Sequence, residues 1–286
     1  MSKNFDIFEL KIDQTDLKNI DKHSRNQIAG LMHAHNELTV LNRFMMFSVK
    51  ETGQGELHDS AFTVQMWSIL QLLAGKLFET WKMVCDRFMK SVPKSGILLN
   101  LDVEHKKSLD YLTDYFGERA EKSNALKFIR DKTAFHYDKL DLGGATQNLE
   151  EAESVIYLAQ HPANCLYYLG SVLVFRTTFA MIYDNSKPQN NLSHKERTKA
   201  GANIANDDAK TVNFHLHVLL YGLISGLLEK ALKKPLEKYS QVRIPVRDAP
   251  ILIRLVYPCL LTLVIIISCF SYSVFALSPL AESINA

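Results

Sequence analysis

The chain alternates long stretches of helically spaced apolar residues with short polar breaks. Across residues 16–49, Leu17, Ile20, Ile28, Leu31, Leu38 and Leu41 recur close to the roughly 3.6-residue repeat of a helix with one buried face. The segment "ETGQGE" interrupts this pattern, with Gly53 and Gly55 as stop signals. A second helix is expected over residues 58–92, with a broad stripe of Val64, Trp67, Leu70, Leu73, Ala74, Leu77, Trp81, Val84 and Phe88. Its two tryptophans read as core packing, and Pro93 cannot continue its hydrogen bonding. Further helices are expected over 103–116 and 122–139, followed by a loop through Gly143 and Gly144, and a short helix over 150–160.

Residues 163–183 are strongly apolar, but Arg176 interrupts them short of membrane-spanning length, so a buried core helix is predicted. From 184 to 210 the composition turns polar and predicts an exposed or partly disordered linker. An amphipathic helix resumes over 211–234. Neither an internal repeat nor a run of alternating strands is apparent, and glycine and proline are sparse. The pattern predicts an all-α bundle over 1–183, a linker over 184–210, and a helix with a basic segment over 211–245.

The tail has a different character. Residues 255–277, "LVYPCLLTLVIIISCFSYSVFAL", carry no charge, and at about 1.5 Å per residue they cover the roughly 30 Å of a hydrocarbon core. Lys230, Lys233, Lys234, Lys238, Arg243, Arg247 and Arg254 precede this stretch, and Glu282 is the only charge after it. The asymmetry predicts a C-terminal transmembrane helix over 251–277 with its basic flank on the cytoplasmic side. The same flank has the composition to meet anionic lipid headgroups. A buried helix, or an apolar tail produced by an altered reading frame, would share this composition.

Charge and cysteine content narrow the setting. A net charge of +2 excludes bulk nucleic-acid binding through a strongly basic chain and leaves room for a local basic cleft. Cys85, Cys165, Cys259 and Cys269 form no CxxC pair, which argues against a disulfide framework or a zinc site and fits a reducing compartment. The polar N-terminus lacks a signal-type apolar core, so cytoplasmic residence is expected.

Chemistry concentrates in "FIRDKTAFHYD", residues 128–138, where Arg130 and His136 stand six positions apart among aromatics. The pair with its neighbours resembles the Arg-x4-6-His signature of the HEPN superfamily, in particular the abortive-infection type. There a charged or amide residue commonly follows the arginine and an aromatic precedes the histidine. Asp131 and Phe135 fill those places. The resemblance implies a HEPN-like helical bundle and a metal-independent endoribonuclease acting as a conditional toxin or antiviral defence effector. It also implies a homodimer whose two motifs line one cleft, an RNA substrate, no cofactor, and an antitoxin partner.

The residue types suit that chemistry. RNA carries its own nucleophile in the 2′-hydroxyl. A histidine near neutral pKa can take that proton or protonate the leaving 5′-oxygen, and an arginine can clamp the phosphate oxygens. The expected ends are a 2′,3′-cyclic phosphate and a 5′-hydroxyl. On an ideal helix, however, Arg130 and His136 lie about 120° apart and about 9 Å along the axis. A two-fold dimer would bring each His136 to the partner's Arg130.

Supporting candidates are Asp131, as an orienting group or a helix-dipole partner, and Tyr137, as a base-stacking ring or a core residue. Asp138 could polarise a histidine. On the first helix, Asn36, Glu37, Asn42 and Arg43 are polar residues among apolar ones, facing either a cleft or solvent. The alternative reading is a non-catalytic helical interaction module in which Arg130 and His136 are structural contacts.

The pairs His33/His35 and His215/His217 suggest metal ligands on paper. Positions i and i+2 of a helix point about 200° apart, so neither pair chelates from one face, and no metal site is expected. GxGxxG, P-loop and GxSxG motifs are missing, which leaves nucleotide-dependent and acyl-transfer chemistry without support.

Overall fold

The structure, a computed structural model, describes residues 6–47, 55–90, 96–117, 124–134, 140–186, 191–239 and 241–245. Helices dominate it. In chain order they are α1 (Gln14–Asn19), α2 (Lys22–Phe47), α3 (Glu56–Val84), α4 (Gly96–Leu99), α5 (Val103–Phe116), α6 (Ala125–Ile129), α7 (Leu142–Ala145), α8 (Tyr168–Ser186) and α9 (His194–Leu232). Two π-helical segments, Cys85–Met89 and Arg130–Ala134, continue α3 and α6. Strands β1 (Asp6–Leu10) and β2 (Gln241–Pro245) pair antiparallel, with Phe8 opposite Arg243.

Side chains with spare acceptors start the long helices. Asp21 accepts from the Ser24 amide at 3.0 Å ahead of α2, and Asp102 accepts from the His105 amide at 2.9 Å ahead of α5. Ser193 and Glu196 cap α9 reciprocally: each side chain accepts from the other residue's amide, at 3.3 and 2.9 Å. At its other end α9 stops where Lys233 takes the left-handed conformation (φ 54°), two residues before Pro235.

The chain forms two compact units. One draws on described residues within Met1–Arg43, Glu79–Tyr115 and Val212–Leu260, with Leu31, Leu38, Val84, Phe88, Leu112, Val212, Leu216 and Leu220 fully buried. The other draws on Phe44–Phe78 and Phe116–Thr211. There Leu73, Leu77, Leu126, Ile129, Val172 and Phe175 form the core, and Trp67 packs edge-on against Phe179 at 5.2 Å between ring centres. Each buried leucine or phenylalanine contributes roughly 1.5–3 kcal/mol. The division does not follow the chain: α3 and α9 each supply residues to both units.

Several elements depart from the sequence expectation. The polar stretch read as a linker over 184–210 is helical from His194 onward, as the first half of α9. Its small and apolar residues, Ala202, Ala205 and Ala209, are buried at helical spacing, so a narrow alanine face suffices where no large side chain marks it. The short helix expected over 150–160 is only a 3₁₀ turn at Glu151–Glu153, after which Tyr157 and Leu166 pair in an isolated antiparallel bridge. β1 and β2 escaped the sequence reading because five residues each, with a partner over two hundred positions away, leave no local signal.

Arg176 does sit within a core helix, as α8, and is 4% exposed. Its Nη1 donates to Glu153 Oε2, which joins the 3₁₀ turn to the helix. Burial pushes the Glu153 carboxyl above its ordinary range, and Arg176 opposes that push without cancelling it. Among the described residues α9 is the one helix long and apolar enough to cross a membrane, with 44% of that stretch buried inside the protein. The stretch 251–277, where the sequence predicts a span, lies outside the described residues.

Candidate functional site

Arg130 opens the second π-helical segment, directly after the last residue of α6. α6 starts at Asn124, whose side chain accepts from the Lys127 amide at 2.9 Å, and buries Ala125, Leu126 and Ile129; α6 and the π segment pack on α8. The turn over Arg130–Ala134 is wider than an α-helical one, which changes the spacing of these five residues around the axis. Two side-chain bonds hold the turn. Thr133 donates from its hydroxyl to the Ile129 carbonyl at 2.7 Å, and Gln71 of α3 donates to the Thr133 carbonyl at 3.0 Å.

The Arg130 guanidinium is oriented from two sides. Its carbon lies 4.2 Å from the centre of the Phe78 ring, a cation–π contact, and Nη1 donates to Asp131 Oδ1 at 2.9 Å. Phe78 is in turn held edge-on by Phe116, with ring centres 5.8 Å apart. The Arg130 side chain keeps 26% of its surface open to solvent. Asp131 therefore does meet the arginine. His136, Tyr137 and Asp138 lie outside the described residues. Asn36 and Arg43 belong to the other unit, Arg43 with a buried Nε that lacks a hydrogen-bond partner among the described residues. Glu37 pairs with His33 at 3.4 Å, and Asn42 exchanges amide bonds with Asn213 at 3.3 and 3.1 Å.

Sequence reasoning missed Phe78, Phe116 and Gln71. They lie in apolar or mixed helix stripes, where nothing distinguishes a residue that supports an arginine from one that fills the core.

A second cluster joins α2, α5 and α9 in the other unit. The members of each H-x-H motif do point apart, as helix geometry demands. His33 faces Glu37 at the surface, and His35 turns inward. His215 stacks on Tyr111 at 4.2 Å and meets Ser108 Oγ at 3.1 Å. His217 lies edge-on to His35, with ring centres 4.8 Å apart. The inward members of the two motifs thus meet, which no local pattern foretold.

His217 Nδ1 lies 3.0 Å from the Asn213 carbonyl, which can only accept, so its proton sits on Nδ1. Nε2 then accepts, and its neighbour at 3.3 Å is the Thr39 hydroxyl, whose single proton also has the His35 carbonyl at 2.9 Å. Burial, and then the nearby His35, depress the His217 pKa to about 4; burial lowers that of His35 as well. Both rings are neutral near pH 7. No group of three or more His, Cys, Asp or Glu side chains among the described residues could hold a metal ion.

Beside His35 lies an open groove of about 250 Å³, lined by Met32, His35, Asn36, Tyr221 and Ile224. No family model matches this chain, and no curated protein or solved structure matches it either.

Proposed function

We propose that the chain is a metal-independent endoribonuclease of the HEPN type, a conditional toxin or antiviral defence effector. In this reading Arg130 clamps the scissile phosphate and His136 acts as general acid and base. A homodimer pairs the two groups across its two-fold axis. The observation that supports it is the setting of Arg130: a guanidinium aimed by Phe78 and Asp131, yet a quarter open to solvent. A phosphate clamp needs both properties, because preorientation removes the cost of ordering the side chain when charge develops on the phosphate.

The second reading, a non-catalytic interaction module, draws on the same contacts. Asp131 already neutralises the guanidinium, and Phe78 covers one of its faces. An arginine so engaged also serves as a structural tie.

Cleavage of a mixed RNA substrate by the purified chain, with a chelator present, separates the two. The ribonuclease reading expects chelator-resistant cleavage that leaves 2′,3′-cyclic phosphate ends and is lost in both Arg130→Ala and His136→Ala. A folded wild-type chain that cuts no RNA leaves the module reading. Equal cleavage by the variants assigns the activity to another site or a contaminant. Sedimentation at working concentration tests the dimer. Residues 251–277 are proposed to hold the enzyme at the inner face of the cell membrane, and carbonate extraction with and without residues 250–286 tests that.

A further inference from the structure

The chain leaves α9 through a turn that is tied internally and carries lysines outside. Glu229 Oε1 accepts from the Leu236 amide at 3.3 Å, Lys234 Nζ lies 4.0 Å from the centre of the Tyr239 ring, and the Tyr239 hydroxyl donates to Asp16 Oδ2 at 3.1 Å. A 3₁₀ turn at Leu236–Lys238 lies between these ties, and β2 starts two residues after Tyr239. Residues 229–239 carry four lysines against two glutamates. The carboxylates of Glu229 and Asp16 are engaged in the internal bonds. Lys230, Lys233 and Lys238 are exposed and pair with no carboxylate among the described residues. A lysine in the last helical turn complements the helix dipole, which accounts for Lys230. Lys238 follows the helix by six residues, past the reach of that dipole. Lys233 holds a left-handed position that favours glycine, so its side chain is carried against the backbone preference.

We propose that this turn docks on anionic phospholipid headgroups through Lys230, Lys233 and Lys238. The docking surface deepens the membrane reading of residues 251–277 and takes its placement from it. From Pro245, the end of β2, to Leu255 the chain advances ten residues, which reach at most about 35 Å fully extended. A tail inserted in the bilayer therefore holds β2, and the lysine turn directly before it, beside the headgroups. Each lysine at an anionic surface strengthens binding about fivefold. Single-stranded RNA is the competing polyanion, and surfaces that bind it combine basic groups with exposed aromatic rings. The one aromatic residue of 229–239 is Tyr239, which is 6% exposed and covered by Lys234. The turn thus offers charge without a stacking face, which suits headgroups and not bases.

The test is brief amine acylation of the full chain, read lysine by lysine in a mass spectrometer with free N-acetyl-lysine as the rate standard. It compares vesicles of phosphatidylcholine alone with vesicles of phosphatidylcholine and phosphatidylserine at about two to one. On the anionic vesicles at about 0.1 M salt, Lys230, Lys233 and Lys238 should react at least about fivefold more slowly than on neutral vesicles, and about 0.5 M salt should restore their rates. Replacing all three (Lys230→Gln, Lys233→Gln, Lys238→Gln) should slow association with the anionic vesicles about tenfold or more and leave association with neutral vesicles unchanged. All three positions are exposed, and circular dichroism verifies that the variant folds. Carbonate extraction reads the tail separately. A chain extracted by carbonate whose lysines are still protected on anionic vesicles loses the anchor and keeps the docking surface. A chain that resists extraction while its lysines react equally on both vesicles keeps the anchor and overturns the proposal. Protection that persists on neutral vesicles, or a triple variant that associates as fast as wild type, overturns it too. Equal or greater protection by oligouridylate without vesicles overturns it in favour of RNA.

Discussion

Arg130 rests on Phe78, with the guanidinium carbon 4.2 Å from the ring centre. The contact couples the residue most central to the proposed chemistry to the core of its unit. A double-mutant cycle of Phe78→Leu and Arg130→Met, followed by urea unfolding, should give a coupling energy of about 0.5–2 kcal/mol. If Arg130 is a clamp held by this ring, Phe78→Leu should also slow RNA cleavage about tenfold or more while the chain remains folded. A coupling energy indistinguishable from zero would remove Phe78 as the orienting platform.

The Arg176–Glu153 pair tests what a buried charge contributes. Glu153→Gln or Arg176→Met alone leaves one desolvated group without its partner and should cost about 3–5 kcal/mol in denaturant unfolding. Replacing both with Leu and Met should cost clearly less than the sum of the single changes, because neither charge then remains stranded. Additive losses would show that the two side chains act independently.

The His35–His217 contact predicts a pH dependence of stability. His217 titrates at about 4 in the folded chain, below the 6.5 of an ordinary histidine, so the unfolded chain takes up the proton first. Its contribution is complete above about pH 6.5 and is lost as pH falls towards about 4, for a total of roughly 3 kcal/mol. The capping carboxylates of Asp21, Asp102 and Glu196, held below their usual range chiefly by hydrogen bonds, weaken the fold in the same direction at lower pH. The difference between wild type and His217→Gln isolates the histidine: unfolding curves from pH 4 to 7 should be flatter in the variant. Identical slopes would mean that the ring is hydrated in the folded chain.

Two helical glycines should respond to alanine with opposite signs. A Cβ at Gly201 of α9 would run into the backbone carbonyl of Phe179 on α8, which cannot swing aside, so Gly201→Ala should destabilise by about 1–3 kcal/mol. At Gly170 of α8 an added Cβ meets nothing within 4 Å, and Gly170→Ala should stabilise by about 0.4–1 kcal/mol through the unfolded chain's lost freedom. Thermal melts of the two variants, compared with wild type, provide the check.

Helix periodicity made most of the fold legible. α5 occupies the stretch that its apolar spacing predicts, and the broad stripe of α3 buries Trp67 and Trp81 as expected. The helix starts at Asp21 and Ser193 were not read from apolar spacing, since they fall inside the helix expected over 16–49 and the linker expected over 184–210. The first half of α9 was not legible, since alanines packed closely against a neighbour look polar in composition.

The candidate site divides in the same way. Arg130 and Asp131 were visible as a motif, and the i, i+2 geometry correctly separated the members of each H-x-H pair. Their supports were not visible. Phe78 lies 52 positions before Arg130, and His35 meets His217 from another helix altogether. The sequence by itself determined that the chain is helical, where most helices run, and which residue types carry reactive groups, because these follow from spacing and propensity within a turn or two. Only the tertiary structure decided which ring orients Arg130, which two histidines meet, and which polar groups are left facing an open groove. Those pairings join residues far apart in sequence, and the packing of whole helices selects them.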